Sequence, residues 1–224
     1  MAASPTSFRR SITLGIDTTG AWCSTALVDD AGILAKSAQK IGRGHAEKLA
    51  DMVQDVLRQA GIKPADIDKI SVCTGPGSFT GLRVGLSFAK GFALPHNIPV
   101  VGLSALQIWA LNADPECGET VLAVADARRG EIMSQIFENG QAVQKPFLSM
   151  VGELTKIPDI IVGGGAELLG ADANDDYVCP AQLAWLGAEM TPETSPANPL
   201  YHRAADAKLP GGKSPKKTQF PKKT

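Results

Sequence analysis

Short β-prone runs alternate with helical patterns through the first hundred residues, and this order restricts the chain to an α/β architecture. Ile12–Gly15 and Cys23–Val28 favour strands on either side of the polar turn IDTTGAW, and a second turn leads into GILAKSAQK. Apolar residues at helical spacing follow over His45–Ala60, and Gly61 is placed to end that helix. The pattern predicts a strand meander followed by an amphipathic helix.

The following segment completes one α/β unit, and a second unit of similar order begins after Ser104, which is suited to cap a helix. Strands flanked by helices in this order predict mixed sheets in two duplicated halves, although no residue-level repeat relates them. We predict an N-terminal half over residues 1–104, a C-terminal half over 105–208 and a basic, disordered tail over 209–224. The predicted elements are a strand at Lys69–Thr74, a helix at Leu82–Leu94, a strand at Ile98–Leu103, a helix at Ala105–Asn112, strands at Val121–Ala125, Glu131–Phe137, from Ala142 and at Ile160–Val162, and helices at Ala166–Leu169 and Pro180–Met190.

A glycine-rich segment, TGPGSFTGLRVG over Thr74–Gly85, connects a predicted strand to a predicted helix. Backbone amides at such a helix N-terminus can hold an anion, and glycines allow a ligand to approach closely. The segment is not a P-loop, because Gly81 is followed by Leu82 and Arg83 instead of Lys and Ser or Thr. A phosphate-binding loop and a tight strand-to-helix connection both remain open.

Three other turns offer candidate ligand-binding groups: the turn at Asp17, the turn DARRG at Asp126 and the glycine triplet that begins at Gly163. Asp17 lies beside two threonines in the first hairpin turn, where a carboxylate and hydroxyls could face a metal-bound phosphate. The same residue types are also common in turns that bind no ligand, so ligand binding at each of these turns is a hypothesis. The predicted weak nucleotide-binding set comprises Asp17, Thr18, Thr19, Gly75, Gly77, Ser78, Gly81, Asp126, Gly163 and Gly164.

Charge is distributed unevenly along the chain. Residues 1–200 contain 15 Lys and Arg against 22 Asp and Glu, whereas residues 201–224 contain 7 against 1. The body is therefore not expected to bind nucleic acid by itself, and the basic tail is either a solubilising segment or a weak phosphate contact. The four cysteines form no Cys-x-x-Cys pair, and no run of about 20 apolar residues is present. These features predict a cytoplasmic protein that does not enter a membrane.

Five segments, GIDTTGAWCSTALVDD, GHAEKL, TGPGSFTGLRVGLSFAKGFA, DARRGE and NPLYHRAADAK, closely resemble the bacterial TsaB family, also called YeaZ. The resemblance spans about residues 12–208. It implies an actin-like ATPase fold built from two ribonuclease-H-like halves. It also implies a role in forming threonylcarbamoyladenosine at position 37 of tRNAs that read codons beginning with A.

The resemblance further implies partners: a catalytic paralogue, TsaD, and an ATPase, TsaE, with tRNA reached only indirectly through their complex. In TsaD, two histidines of a His-x-x-x-His motif hold the metal, and the corresponding positions here are Ala105 and Trp109. The chain has three histidines and no such motif. We therefore expect a non-catalytic scaffold with no bound metal, no tightly bound cofactor, and at most weak binding of ATP or ADP with magnesium at the complex.

The two helices beside the glycine-rich loop carry more apolar surface than one face of a sheet can cover. As the resemblance implies, the excess is expected to form a helical interface for TsaD or, in its absence, for a second copy of the chain. Met52 is expected to point outward in this arrangement, and burial of both helices within the chain is the alternative. The predicted interface comprises Leu49, Met52, Val53, Val56, Leu82, Leu86 and Phe88.

Two enzyme functions are weighed against the scaffold. An ATP-dependent small-molecule kinase of the same fold would use Asp17 to position magnesium, but the sequence shows no evident catalytic base to accompany it. A metallopeptidase would need a metal site that the histidines do not supply. The scaffold is therefore the leading hypothesis.

Overall fold

The computed structural model describes residues 10–113, 118–154, 158, 160–172 and 175–201, which form two sheets with helices packed against them. The tail over 209–224 lies outside the described residues. The strands are β1 Thr13–Asp17, β2 Trp22–Asp29, β3 Gly32–Lys40, β4 Lys69–Cys73, β5 Val100–Leu103, β6 Thr120–Arg128, β7 Glu131–Glu138, β8 Gln141–Ala142, β9 Phe147–Met150 and β10 Ile160–Val162, and the helices are α1 His45–Ala60, α2 Phe79–Ala93, α3 Ala105–Asn112 and α4 Pro180–Ala188.

The first sheet has the strand order β3-β2-β1-β4-β5. β1, β2 and β3 form the predicted antiparallel meander, and β4 and β5 add to it in parallel. Leu14 and Ile16 of β1 point to one face, where they join the buried side chains of α1 and α2 in one apolar core. The order of elements thus follows the sequence pattern and confirms the predicted α/β unit.

The opposite face of the first sheet is lined by small residues, which let α4 approach closely. A Cβ atom on Gly15 would lie 2.1 Å from the Pro180 carbonyl oxygen, and one on Gly187 would lie 2.3 Å from the Ser71 hydroxyl. That hydroxyl donates to the Leu183 carbonyl at 2.6 Å. Lys69 Nζ donates to the Ala188 and Met190 carbonyls and so caps the last turn of α4. A helix from the far end of the chain therefore completes the first sheet.

The second sheet has the order β10-β6-β7-β8, and β9 also pairs with β7. Its antiparallel strands β6 and β7 and the parallel pair β10 and β6 repeat the mixed character of the first sheet. Helix α3, which follows the last strand of the first sheet, packs against β6 and β7. α3 thus covers the second sheet, which belongs to its own half, whereas α4 of the C-terminal half covers the first sheet.

Several boundaries differ from the sequence prediction for local reasons. Helix α2 begins at Phe79, not Leu82, because the Ser78 hydroxyl accepts a hydrogen bond from the Gly81 N–H and caps the helix there. The predicted helix at Ala166–Leu169 is a single 3-10 turn that ends at Gly170 in the left-handed region. The division at residues 104 and 105 stays a prediction, and the return of α4 crosses it. None of the helices in the described residues has the length and apolar composition that a membrane-spanning segment requires.

The structure corrects the expected orientation of Met52. Its side chain is only 3% exposed and lies in the core between α1 and the first sheet. The sheet is wide enough for both helices to lie side by side on it, so six of the seven predicted interface residues pack inside the chain. Those buried residues are Leu49, Met52, Val53, Val56, Leu82 and Leu86, whereas Phe88 is half-buried.

Met52→Glu is therefore expected to unfold the first half instead of breaking an interface. An unpaired carboxylate would replace a packed apolar side chain, which should lower the free energy of unfolding by at least about 3 kcal/mol. Chemical denaturation measures this change. Gln54→Glu on the exposed side of the same helix is the control and should change it by less than about 0.5 kcal/mol. A Met52→Glu variant as stable as the control would contradict the described packing.

Candidate functional site

A cleft of about 940 Å³ separates the loops of the two halves. One wall contains Gly42–Glu47 before and at the start of α1, together with the glycine-rich loop and the first turns of α2. The other wall contains the end of β6, Gly164 and Asp176. Of the ten predicted nucleotide-binding residues, six line this cleft: Thr19, Gly77, Ser78, Gly81, Asp126 and Gly164.

The Thr18–Thr19 turn is covered by the chain's own glycine-rich loop. The Ser78 N–H donates to the Thr19 carbonyl at 2.7 Å, and the Thr18 hydroxyl donates to the Gly81 carbonyl at 2.7 Å. A Cβ atom on Gly77 would lie 2.4 Å from the Thr19 carbonyl oxygen, and one on Gly81 would lie 2.0 Å from that of Thr18. These two glycines are therefore required by backbone contact within the chain.

Asp17 lies beneath this contact and is fully buried. Its Oδ1 accepts hydrogen bonds from the Thr19 N–H at 3.0 Å and the Thr19 hydroxyl at 2.7 Å, whereas Oδ2 has no partner among the described residues. Burial raises the pKa of Asp17 to about 6, although the Thr19 hydrogen bonds oppose the shift, and Asp176 adds to it. The carboxyl group does not line the cleft, so the structure does not place it where the sequence predicts a phosphate-facing group.

Asp126 lies at the edge of the cleft and is partly exposed. Its carboxylate accepts from the Arg128 N–H at 2.7 Å and pairs with the Arg128 guanidinium at 3.0 Å. Arg128 and Arg129 both have positive φ values, of 68° and 60°, next to the tight turn that joins β6 to β7. This hairpin therefore presents an ion pair to the cleft.

The glycine triplet over 163–165 packs against its surroundings. A Cβ atom on Gly163 would lie 2.4 Å from the Trp109 ring, and one on Gly164 would lie 2.9 Å from the Asp176 Cβ. Gly163 has a φ of 99°. Its role is to let the chain pass close to Trp109, and it does not line the cleft.

Ala105 and Trp109, which stand at the two metal-ligand positions of the resembled paralogue, lie on the same side of α3 and are buried. The Trp109 indole N–H donates to the Tyr177 carbonyl at 3.0 Å, and its ring reaches the cleft. Within the described residues, no three His, Cys, Asp or Glu side chains are grouped to hold a metal.

Sequence reasoning missed a cluster that joins the segment before α4 to the first sheet. Asp176 accepts from the Ala21 N–H at 2.7 Å, and Asp175 accepts from the Trp22 indole at 2.8 Å. Burial raises the pKa of Asp176, and the neighbouring Asp175 adds to the increase although the Ala21 hydrogen bond opposes it. Tyr177 packs edge-on against Trp22. Neighbouring acids in a predicted loop gave no signal of this contact, since their partners lie about 150 residues away.

Comparisons with known proteins match this chain to two related descriptions, TsaD and TsaB. A family model described as TsaD, tRNA N6-adenosine threonylcarbamoyltransferase, matches residues 32–164. The tRNA threonylcarbamoyladenosine biosynthesis protein TsaB of Escherichia coli is 40% identical over 88% of this chain and 98% of its own length.

Two solved structures from Pseudomonas aeruginosa share the fold. One, of a protein with similarity to peptidase YEAZ, has a TM-score of 0.71 and 28% identity over 86% of this chain and 100% of its own. The other, YeaZ, has a TM-score of 0.68 and 28% identity over 85% of this chain and 99% of its own. Together with the family model and the two mixed sheets, these matches confirm the expected actin-like fold.

The burial of Asp17 predicts an unusual pH dependence of stability. Because the pKa is about 6 in the folded state and about 3.9 in the unfolded chain, the folded protein binds more protons between these pH values. The free energy of unfolding therefore decreases as the pH rises through this range, and the contribution of Asp17 is lost above about pH 6.

Asp17→Asn keeps an acceptor for Thr19 but removes the buried charge. We expect the variant to gain about 1–3 kcal/mol relative to the wild type between pH 4 and pH 8, measured by denaturation at each pH. Asp30→Asn, in an exposed turn, controls for the loss of one negative charge. A difference between Asp17→Asn and wild type that is constant with pH would contradict a raised pKa.

Proposed function

The chain belongs to the TsaB family, also called YeaZ, and has a role in tRNA threonylcarbamoyladenosine biosynthesis; from this premise we propose that it is a non-catalytic scaffold of the modifying complex. It would act with the catalytic paralogue TsaD and the ATPase TsaE, at adenosine 37 of tRNAs that read codons beginning with A. The contact between the glycine-rich loop and the Thr18–Thr19 turn carries this proposal.

That contact occupies the place where a nucleotide phosphate would have to lie against the turn. The Thr18 and Thr19 side chains are buried, and Gly77 and Gly81 have no room for a Cβ atom, let alone a ligand, between the two segments. A nucleotide in the cleft could meet the six predicted residues that line it but not the enclosed Asp17. We therefore propose at most weak binding of ATP or ADP, which favours a scaffold over a kinase of the same fold.

The outer side of α2, which includes the predicted Phe88, supports the partner interface better than the six predicted residues that are buried. Val84, Phe88 and Phe92 are half-buried and recur every four residues along one stripe of the helix. The Phe88 and Phe92 rings stack with centroids 5.7 Å apart, and Leu94 follows them with 76% of its surface exposed. We propose that this stripe, with the exposed side of α1, contacts TsaD or a second copy of the chain.

Reconstitution tests the scaffold proposal. The purified protein alone, incubated with ATP, magnesium, a threonylcarbamoyl donor and tRNA, should form no threonylcarbamoyladenosine. Adding TsaD and TsaE should produce the modified nucleoside, and omitting this protein should abolish it, as measured by mass spectrometry of digested tRNA. Modification by this protein alone, or full modification without it, would refute the proposal.

Phe88→Glu tests the interface. A charge within an apolar contact should weaken binding to TsaD at least about tenfold and reduce modification in the same proportion, as measured by calorimetry and mass spectrometry. Gln141→Glu, on an exposed strand of the second sheet, is the control and should leave both unchanged. Circular dichroism must show the wild-type fold for both variants. If folded Phe88→Glu binds TsaD with unchanged affinity, the interface does not lie on this side of α2.

A further inference from the structure

A short segment of the second half, residues 175–178, crosses over the buried carboxyl group of Asp17. Ser24 pairs with Asp17 in the β1–β2 ladder, and the Ser24 hydroxyl donates to the Val178 carbonyl at 3.3 Å. Because paired residues of two strands share a face, Val178 lies on the face to which Asp17 points. Asp17 has no exposed surface, and its Oδ2 has no hydrogen-bond partner among the described residues. The segment thus helps to enclose a carboxyl oxygen that is left unsatisfied.

Polar contacts at its first two residues hold this segment to the first half. Asp176 accepts from the Ala21 N–H at 2.7 Å, and Asp175 accepts from the Trp22 indole N–H at 2.8 Å. Lys40 Nζ lies 3.4 Å from the second Asp175 oxygen, in an exposed ion pair that contributes little to stability. Asp176 and Ala21 both line the cleft, so solvent in the cleft can reach the contact between them.

Acidic groups dominate the place where the segment crosses the sheet. Burial raises the pKa of Asp17 to about 6, and Asp176 adds to the shift; burial also raises the pKa of Asp176, and Asp175 adds to that shift. The other titratable groups that face this crossing from neighbouring elements are Cys23, Lys40, His45, Cys73 and Tyr177. The cleft adds Arg43, Glu47, Asp126 and Arg128. Ionisation of Asp17 therefore places a third carboxylate near Asp175 and Asp176, whose neighbouring cation, Lys40, is already paired.

We propose that residues 175–178 are a proton-controlled latch, which closes over Asp17 while that carboxyl group is protonated and lifts away from the Ala21 N–H when the proton is lost. Two effects act in the same direction. An ionised Asp17 needs donors for its Oδ2, and water entering from the cleft supplies them once the segment moves. The new charge also repels the Asp176 carboxylate. Helix α4 stays on the sheet, because its contacts with β1 and β4 lie beyond the latch.

The direction of the pH effect follows from the raised pKa of Asp17. Closure of the latch is fully favoured below about pH 4 and weakens as the pH rises through about 6. If the released carboxyl group has its ordinary pKa of about 3.9, the ratio of open to closed forms increases about tenfold between pH 5 and pH 8. The latch belongs to the single chain, so this effect does not depend on the proposed partners.

Amide hydrogen exchange, measured by NMR on the full chain alone, tests the latch at the Ala21 N–H. After correction for the intrinsic exchange rate, the protection factor of Ala21 should decrease about tenfold from pH 5 to pH 8. The Ile70 N–H, which donates to the Pro99 carbonyl at 3.0 Å, reports global unfolding and should be at least about tenfold more protected at each pH. The Trp22 indole N–H signal should shift over the same pH range, because it loses Asp175 as acceptor.

Two matched variants assign the effect to Asp17. Asp17→Asn keeps an oxygen that can accept from Thr19 but cannot ionise, so the protection factor of Ala21 should become independent of pH. Asp172→Asn removes an exposed carboxyl group close to the latch in the chain, and it should retain the tenfold decrease. A decrease that persists in Asp17→Asn would overturn the proposal, as would a wild-type protection factor that is constant with pH.

Two wild-type measurements decide the matter even if Asp17→Asn fails to fold. Equal protection factors of Ala21 and Ile70 would show that exchange requires global unfolding, and this result would overturn a local latch. The ¹³C shift of the Asp17 carboxyl group gives its titration midpoint directly. This midpoint should coincide with that of the change in Ala21 protection, and different midpoints would show that another group controls the segment.

Discussion

The contact between the Thr18–Thr19 turn and the glycine-rich loop is the constraint on which the rest of the structure depends. Two backbone segments from β1 and the start of α2 meet with no side chain between them at Gly77 and Gly81. This contact sets the position of α2 on the sheet, buries Asp17 and shapes one wall of the cleft. Gly77 and Gly81 of the glycine-rich loop therefore make backbone contacts within the chain.

The same constraint explains the electrostatic character of the cleft. With Asp17 enclosed, the carboxylates that reach the cleft are Glu47, Asp126 and Asp176, and Asp126 pairs with Arg128. Its described walls thus combine hydroxyls, glycines and more carboxylates than guanidinium groups. Such a surface suits a junction between two halves of a subunit more than a site that must hold a triphosphate.

Much of the fold could be predicted from the sequence, because helix bounds depend on local signals. Gly61 ends α1 and Ser104 caps α3, so both helices have the predicted limits. The packing of α4 against the first sheet could not be predicted. The residues at this contact include Gly15, Ser71 and Gly187, which show no hydrophobic periodicity. The predicted orientation of Met52 was wrong for a related reason. Helices α1 and α2 are both rich in apolar residues, and only their packing side by side on the sheet shows which side of each helix is buried.

The candidate site was less predictable than the fold. Gly81 is in the predicted loop, but the sequence does not tell whether a glycine admits a ligand or the chain's own backbone. Asp176 was absent from every prediction because its partner, the Ala21 N–H, lies 155 positions earlier in the chain. Contacts of that separation leave no trace in a local pattern.

The return of α4 to the first sheet has a consequence for synthesis of the protein. β1–β5 emerge from the ribosome long before residues 180–188, which cover the Gly15 and Ser71 face. At elongation rates of about 5–20 residues per second, that face stays uncovered for several seconds after β5 has been made. Until residues 180–188 have been made, the nascent first half is thus a sheet with one uncovered side.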